Sequence, residues 1–183
     1  MSNKLFQLSE SLTIKTLQTE DAQELFEVVN KNRKHLREWL PWLDYNTTAT
    51  DSETFIGIIK KQYLKDKSFQ CGVFYNDVLV GMCGFHPINQ ANNSVTIGYW
   101  LSENYEGKGI ITRCSKFFIR YAFEELKLNK VCIPVAEKNK KSRAVAERLG
   151  LVNEGIEREA EVLYGNYVNH IRYSILRSEF IKT

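Results

Sequence analysis

One segment of this 183-residue chain limits what it can fold into more than any other. Along residues 95–101, Thr96, Gly98 and Trp100 alternate with Val95, Ile97, Tyr99 and Leu101, which predicts a strand. Gly107 and Gly109 follow one residue apart, and apolar side chains then recur at three- and four-residue steps from Ile110 to Leu126, which predicts an amphipathic helix. A strand, a short glycine loop and a helix in direct succession indicate an α/β or α+β fold.

Such a loop is a potential anion site. The first amides of a helix have no intrahelical partners, and the helix dipole adds about half a positive charge at that end. Gly107 and Gly109 lack the Cβ atoms that would keep phosphate oxygens away from the main chain. Lys108 either adds a positive charge or is simply solvated. We therefore expect residues 106–110 to bind a phosphate group.

Three other interpretations of the loop were weighed. A P-loop requires Gly-Lys-Ser/Thr, but Gly109 follows Lys108 here and no upstream glycine fits. A dinucleotide fingerprint requires a third glycine where Thr112 stands and an acidic residue at the end of the next strand, for which Glu137 is a poor match. A glycine turn without any ligand stays open on the loop alone.

The rest of the chain predicts alternating helices and strands in one domain covering residues 1–183. Asn76-Asp77 is a plausible two-residue hairpin turn, and Gly150 suits the end of a helix. The predicted strands cover Leu12–Leu17, Phe69–Tyr75, Val78–Phe85, Val131–Val135, Leu151–Ala160 and Val168–Leu176. The predicted helices begin after a cap at Thr19, run from Asp51 or Ser52 to about Lys67, and run from Lys141 to Leu149.

Composition excludes several classes of protein. The net charge of +3 is small, and the densest basic run, residues 138–143, is interrupted, so general nucleic-acid binding is not expected. No apolar stretch approaches the roughly 20 residues of a membrane span. The four cysteines form no Cys-x-x-Cys pair and the three histidines lack ligand spacing, so we expect reduced thiols, no metal and a cytoplasmic protein without a secretory signal.

Residues 97–101, the glycine loop and Ile110-Ile111-Thr112 together resemble the pyrophosphate motif of the GNAT superfamily of N-acetyltransferases. That motif opens with Gln or Arg, and Asn104 stands there in this chain. A second block of the superfamily is similar to Asn139, Ser142 and residues 147–151. His35-Leu36-Arg37-Glu38-Trp39-Leu40-Pro41-Trp42 further resembles the N-terminal signature of the Rim-type acetyltransferases, which modify the N-termini of ribosomal proteins.

This resemblance implies a fold, a cofactor and a reaction. The fold would be a single GNAT-like domain with a mixed central sheet, parallel strands that splay at the acetyl-CoA site, and flanking helices. The reaction would be transfer of acetyl from acetyl-CoA to an amine by direct attack on the thioester. Binding of the cofactor would fall to Tyr99, Trp100, Leu101, Glu106, Gly107, Lys108, Gly109, Ile110, Ile111, Thr112, Asn139 and Ser142.

The resemblance also suggests catalytic residues. Glu103 would be the base, with a pKa raised by burial, and its alternative is an exposed loop glutamate. Family members often have a tyrosine acid where Ala146 stands here, so that acid is missing. Ser142 is the Rim-type alternative, and helix capping is its other explanation. Cys114 and Cys132 fit core positions better than nucleophilic ones.

The acceptor implied is the N-terminal α-amine of a protein or peptide, from a ribosomal protein that begins with serine or alanine. Trp39, Trp42 and Tyr164 would bind it, although core packing is the competing role for Trp39. Two alternatives stay open: acetylation of a small amine such as a polyamine or aminoglycoside, and a catalytically silent CoA-binding regulatory protein. A homo-oligomer is compatible with the sequence.

Overall fold

The computed structural model describes residues 4–65 and 67–180, which form one eight-stranded mixed sheet with flanking helices. The sheet order is β1-β2-β3-β4-β5-β6-β8-β7. The strands are β1 Leu5–Ser9, β2 Leu12–Lys15, β3 Phe69–Tyr75, β4 Val78–Phe85, β5 Ser94–Leu101, β6 Lys130–Ala136, β7 Val152–Leu163 and β8 Asn166–Leu176. The helices are α1 Ala22–Lys31, α2 Arg33–Leu36, α3 Ala49–Leu64, α4 Ile110–Glu124, α5 Lys140–Arg148 and α6 Arg177–Phe180, with 3-10 turns at Thr19–Asp21, Pro41–Tyr45 and Glu103–Tyr105.

Two tight turns set the pairing of neighbouring strands. Asn76 and Asp77 have φ values of 49° and 62°, and they join β3 to β4 in a hairpin that pairs Tyr75 with Val78. These angles are those of a type I′ turn, whose twist matches that of the strands. The predicted hairpin is therefore confirmed. Every neighbouring pair of strands is antiparallel except β5 and β6.

The sheet separates two apolar cores. On one face, Val95 and Ile97 of β5 pack in the same cluster as α4 and the apolar side of β8. On the other face, Trp100 contacts a second cluster formed with α1 and α3. Side chains alternate along a strand, so the odd-numbered residues of β5 face α4 and the even-numbered ones face α1 and α3.

Several predicted boundaries were wrong for local reasons. Leu5–Ser9 forms an edge strand that was not predicted. Thr19 is not a helix cap: it begins a 3-10 turn capped by Gln18, and α1 starts at Ala22. The helix predicted to start at Asp51 or Ser52 is α3. It begins at Ala49, because Thr48 and Asp51 form a reciprocal capping box, and it ends at Leu64 rather than near Lys67.

All four cysteines are free and buried, as expected for core positions. Burial raises the pKa of the Cys114 thiol to about 12, which leaves almost no thiolate at neutral pH. Within residues 4–65 and 67–180, no cluster of side chains could hold a metal ion. No helix in that part of the chain is long and apolar enough to cross a membrane.

Candidate active site

The two parallel strands separate after three rungs. Ser94, Val95 and Thr96 pair with residues 130–132 of β6, and the pairing then stops although both strands continue. Residues 97–101 of β5 and 133–136 of β6 therefore diverge and leave an opening in the sheet, which we call the gap. This is the splay predicted for the parallel strands.

Main-chain groups of β5 face this gap. The oxygen of Thr96 accepts a hydrogen bond from the amide of His86 at 2.9 Å, and the amide of Ser102 donates to the oxygen of Val80 at 2.8 Å. The even-numbered residues thus direct their main-chain groups towards β4. In an extended strand, the main-chain groups of odd-numbered residues point away from β4 and towards β6. The amides of Tyr99 and Leu101 therefore point into the gap.

The glycine loop lies between the end of β5 and the start of α4. Gly107 and Gly109 have φ values of 73° and 69°, a region that side chains with a Cβ atom rarely adopt. A Cβ atom built on either glycine meets no protein atom within 4 Å, so the space above the loop is open. Gly109 precedes the first residue of α4 and no side chain caps this helix. The first amides of α4 are thus available to a diphosphate, and the open space above the two glycines leaves room for one.

Lys108 makes a contact that its sequence did not suggest. Its ammonium group lies 4.9 Å from the ring centre of Tyr105 and 5.5 Å from that of Tyr75. The two rings are themselves 6.0 Å apart. A cation over aromatic faces is attracted by the ring quadrupole. The side chain therefore ties the loop to the β3–β4 hairpin.

Three basic residues that sequence reasoning did not select surround the loop. The guanidinium of Arg113 donates to the oxygen of Lys108 at 3.1 Å, and that of Arg148 donates to Thr112 Oγ1 at 2.8 Å. Lys141 binds the carboxylate of Glu106, which raises the pKa of Lys141. Part of the interrupted basic run noted in the sequence thus lies at the loop, because α5 begins inside that run.

A pair of hydroxyl groups joins β5 to α5. Ser142 Oγ lies 2.9 Å from the hydroxyl of Tyr99, which also donates to the oxygen of Ser142 at 3.2 Å. Burial raises the pKa of Tyr99 above its usual value, so the phenol keeps its proton. Helix capping is the wrong explanation for Ser142. The cap is Asn139, whose side-chain oxygen accepts a hydrogen bond from the amide of Ser142 at 3.0 Å.

Glu103 stands at the end of β5, but it is exposed. The burial expected of this residue is absent, because it begins a 3-10 turn of which no residue is buried. Its amide donates to Asn32 Oδ1 at 3.0 Å, which fixes the main chain, and its carboxylate is close enough to Lys141 for the two charges to attract. Its role as base stays a prediction.

One contact brings Tyr164 beside the segment that carries the other two predicted acceptor residues, Trp39 and Trp42. The hydroxyl of Tyr164, at the tip of the β7–β8 hairpin, donates to the oxygen of Arg37 at 2.7 Å. The Arg37 guanidinium lies 4.2 Å from the centre of the Tyr164 ring. Trp39 follows two residues later and is half-buried, while Trp42 and Tyr164 are 38% and 39% exposed. The hairpin tip and residues 37–42 therefore form one wall.

The match to a known family decides the identity of this site. A family model described as an acetyltransferase (GNAT) domain matches residues 11–152. The chain belongs to the GNAT acetyltransferases. It is an N-acetyltransferase.

Named relatives agree with this family. The chain is 38% identical over 174 residues to "Putative ribosomal N-acetyltransferase YdaF" of Bacillus subtilis (strain 168), covering 94% of this chain and 95% of the relative. It is 28% identical over 162 residues to the ribosomal-protein-serine acetyltransferase of Escherichia coli (strain K12), covering 87% and 89%. The structure of the microcin C7 self immunity acetyltransferase MccE in complex with acetyl-CoA and AMP matches with a TM-score of 0.87 at 27% identity, covering 92% and 94%.

This GNAT chain departs from the family pattern at Ala146, where a tyrosine acid is often found. Ala146 is fully buried in the core between α5 and the sheet, so a phenol would not fit there without rearrangement. The phenol of Tyr99 instead reaches α5 from the neighbouring strand. The contact between Tyr99 and Ser142 was not predicted from the sequence, because the two residues are 43 positions apart.

Proposed function

We propose that this acetyltransferase moves the acetyl group of acetyl-CoA onto the α-amine of a protein N-terminus, such as that of a ribosomal protein beginning with serine or alanine. The observation that carries the proposal is the gap beside the uncapped end of α4. An anion site and a row of free strand amides occur together there. The names of the relatives YdaF and the E. coli enzyme support the choice of a ribosomal protein.

The gap suits a thioester because its donors match the charge that develops during attack. As the amine attacks, the carbonyl oxygen becomes negative, and the amides of Tyr99 and Leu101 are positioned to donate to it. The glycine loop and the first amides of α4 would hold the diphosphate at the other end of the cofactor. These roles make residues 99–101 and 106–112 the cofactor side of the site.

Proton transfers complete the reaction. The attacking amine loses a proton as the carbon–nitrogen bond forms, and the departing thiolate gains one as the carbon–sulfur bond breaks. Ser142 Oγ and the Tyr99 hydroxyl, 2.9 Å apart, would supply the proton to sulfur. Glu103 is exposed, so it would take the proton of the amine through solvent rather than by direct contact.

An α-amine suits a site with such modest acid–base equipment. Neutralising a lysine amine with a pKa near 10.4 costs about 4.6 kcal/mol at pH 7, whereas an α-amine near 7.8 costs about 1.1 kcal/mol. A weak base therefore limits an α-amine far less than a lysine. The open wall formed by Trp42 and Tyr164 is compatible with an extended peptide.

A polyamine acceptor is less well supported. A polycation requires free carboxylates, whereas three of those near the acceptor wall, Asp44, Glu157 and Glu161, already lie beside basic side chains. Asp44 accepts two hydrogen bonds from Arg37 at 2.7 and 2.9 Å, which lowers the pKa of Asp44. On the hairpin, Glu157 binds Arg172 at 2.9 Å, and Glu161 lies 3.0 Å from His170.

A thiol-release assay tests the proposal. Purified protein is mixed with acetyl-CoA and one acceptor: peptides beginning with Ser or Ala, the same peptides with a blocked N-terminus, or spermidine. We expect release only with the free peptides. Release with spermidine alone would reverse the choice of acceptor, and CoA binding without release for any acceptor would leave a silent CoA-binding protein.

A further inference from the structure

One carboxylate, that of Glu106, connects three parts of the site. His35 Nε2, on α2, lies 3.1 Å from one of its oxygens. Lys141 Nζ, near the start of α5, donates to the other. Glu106 itself immediately precedes Gly107 of the phosphate loop. The helix α2, the phosphate loop and the helix α5, which carries Ser142, therefore meet at this one carboxylate.

A second link fixes the same helix at its other end. Asn32, which precedes α2, accepts a hydrogen bond from the amide of Glu103 at 3.0 Å and donates to Ser102 Oγ at 3.2 Å. The helix α2 is thus held against the β5–α4 connection at both ends. It leads directly into Arg37 and the wall that contacts Tyr164. These two links tie that wall to the phosphate loop and to the end of β5.

The geometry argues against a role for the Glu106 side chain in holding the cofactor. A carboxylate repels a diphosphate, and a basic side chain already lies close to each of the two oxygens of Glu106. The sequence had suggested that Glu106 binds the cofactor. Only its main chain, next to Gly107, is suited to that role.

We propose that Glu106 is a positioning residue for the acceptor: its carboxylate holds α2, and with it the acceptor wall, at the correct place beside the cofactor loop. The proposal rests on the proposed function, because it assigns the wall to the acceptor. It predicts that removing the charge of Glu106 damages the use of the acceptor and spares the binding of the cofactor.

The test is Glu106→Gln, with Glu124→Gln as the matched control. Glu124 also loses one cationic partner, Arg120, but lies on the exposed surface of α4. For Glu106→Gln we expect an acceptor KM raised about threefold to tenfold, as for a lost charged hydrogen bond in a partly exposed site. The Kd for CoA by calorimetry should stay equal or become tighter, because one negative charge near the diphosphate is gone. Glu124→Gln should match the wild type in both.

A second readout needs no acceptor. Hydrogen exchange of the amides of residues 33–40 should be faster in Glu106→Gln than in the wild type and in Glu124→Gln. His35→Ala should also raise the acceptor KM and speed the exchange of residues 33–40. The double variant of His35→Ala and Glu106→Gln should show changes no larger than those of either single variant. If Glu106→Gln fails to fold, His35→Ala tests the same link.

A weaker CoA affinity with an unchanged acceptor KM would overturn the proposal, and so would unchanged exchange over residues 33–40. Failure of the proposed function has a different signature, since the wild type would then acetylate none of the peptides. The exchange comparison would still measure the link.

Discussion

At the scale of single residues, the phosphate loop depends on main-chain conformation more than on side chains. Gly107 and Gly109 are both in the left-handed region, with open space where a Cβ atom would be. The cost of replacing them is therefore conformational strain together with obstruction of the ligand. Steric conflict with the rest of the protein does not contribute.

Gly109→Ala and Gly57→Ala form a matched pair that separates these effects. Gly57 lies within α3, and a Cβ atom there also meets nothing within 4 Å. Gly57→Ala should stabilise the protein by about 0.5–1 kcal/mol, because alanine favours a helix. Gly109→Ala should destabilise it by about 1–2 kcal/mol and weaken CoA binding about tenfold or more. Urea unfolding and calorimetry measure both, and equal CoA affinity in the two variants would contradict this account of the loop.

Ser142 and Asn139 are only three residues apart, but we expect different consequences from replacing them. Asn139→Ala removes the cap of α5 and should cost about 1 kcal/mol of stability. Ser142→Ala removes the contact with Tyr99 and should lower turnover about tenfold or more with a smaller loss of stability. Urea unfolding and steady-state kinetics on both variants test the distinction. A loss of turnover in Ser142→Ala that merely follows its stability would remove the proton-donor role.

The sequence was informative about residues whose role is local and poor for those whose partners are distant. The glycines at 107 and 109 were predicted because the turn that they form is local. The contacts of Lys108 and Glu106 were not predicted, because Tyr75, His35 and Lys141 reach them from other elements. Side-chain partners of this kind follow from tertiary packing, which no spacing in the sequence reveals.

At the scale of elements, the start of α3 is held by a capping box that senses pH. The carboxylate of Asp51 accepts hydrogen bonds from the amides of Thr47 and Thr48 at 2.9 and 2.8 Å. These bonds lower the pKa of Asp51 in the folded protein. A lowered folded pKa means that the box stabilises the protein above the unfolded pKa of about 3.9, and that this contribution is lost as the pH falls through the lower folded value.

Asp51→Asn should therefore reduce stability at pH 6 and make little difference at pH 2. Urea unfolding of the wild type and the variant at the two pH values measures this. Glu53→Gln, in the same part of α3, is the control, because Glu53 has no hydrogen-bond partner among the described residues. An equal loss of stability for Asp51→Asn at both pH values would show that the charge of Asp51 is irrelevant.

Among the elements, those with clear periodicity were predicted well. The predicted ends of β3 and β4 agree with the structure because a type I′ turn separates them. The strand β1 was missed because its pattern is short and it lies at the edge of the sheet, where β2 is its paired strand. The hairpin β7–β8 was found, but its contact with residues 37–40 joins parts of the chain more than 120 residues apart.

At the scale of the whole molecule, the gap makes the sheet two unequal parts. Strands β1 to β5 form one part and β6 to β8 the other, and only three rungs join them. A ligand that fills the gap would lie between the two parts. CoA at one hundred times its Kd should stabilise the folded state by about 2.7 kcal/mol, if it binds only that state. Thermal unfolding with and without CoA measures the shift, and an unchanged midpoint would contradict binding in the gap.

The gap also affects how long the protein survives proteolysis. Proteases attack chains that open, and the fraction of open molecules falls as ligand occupancy rises. When the acetyl donor is scarce, the empty molecules open more often and should be degraded sooner. The abundance of the enzyme would then follow the supply of acetyl-CoA, without any separate regulator.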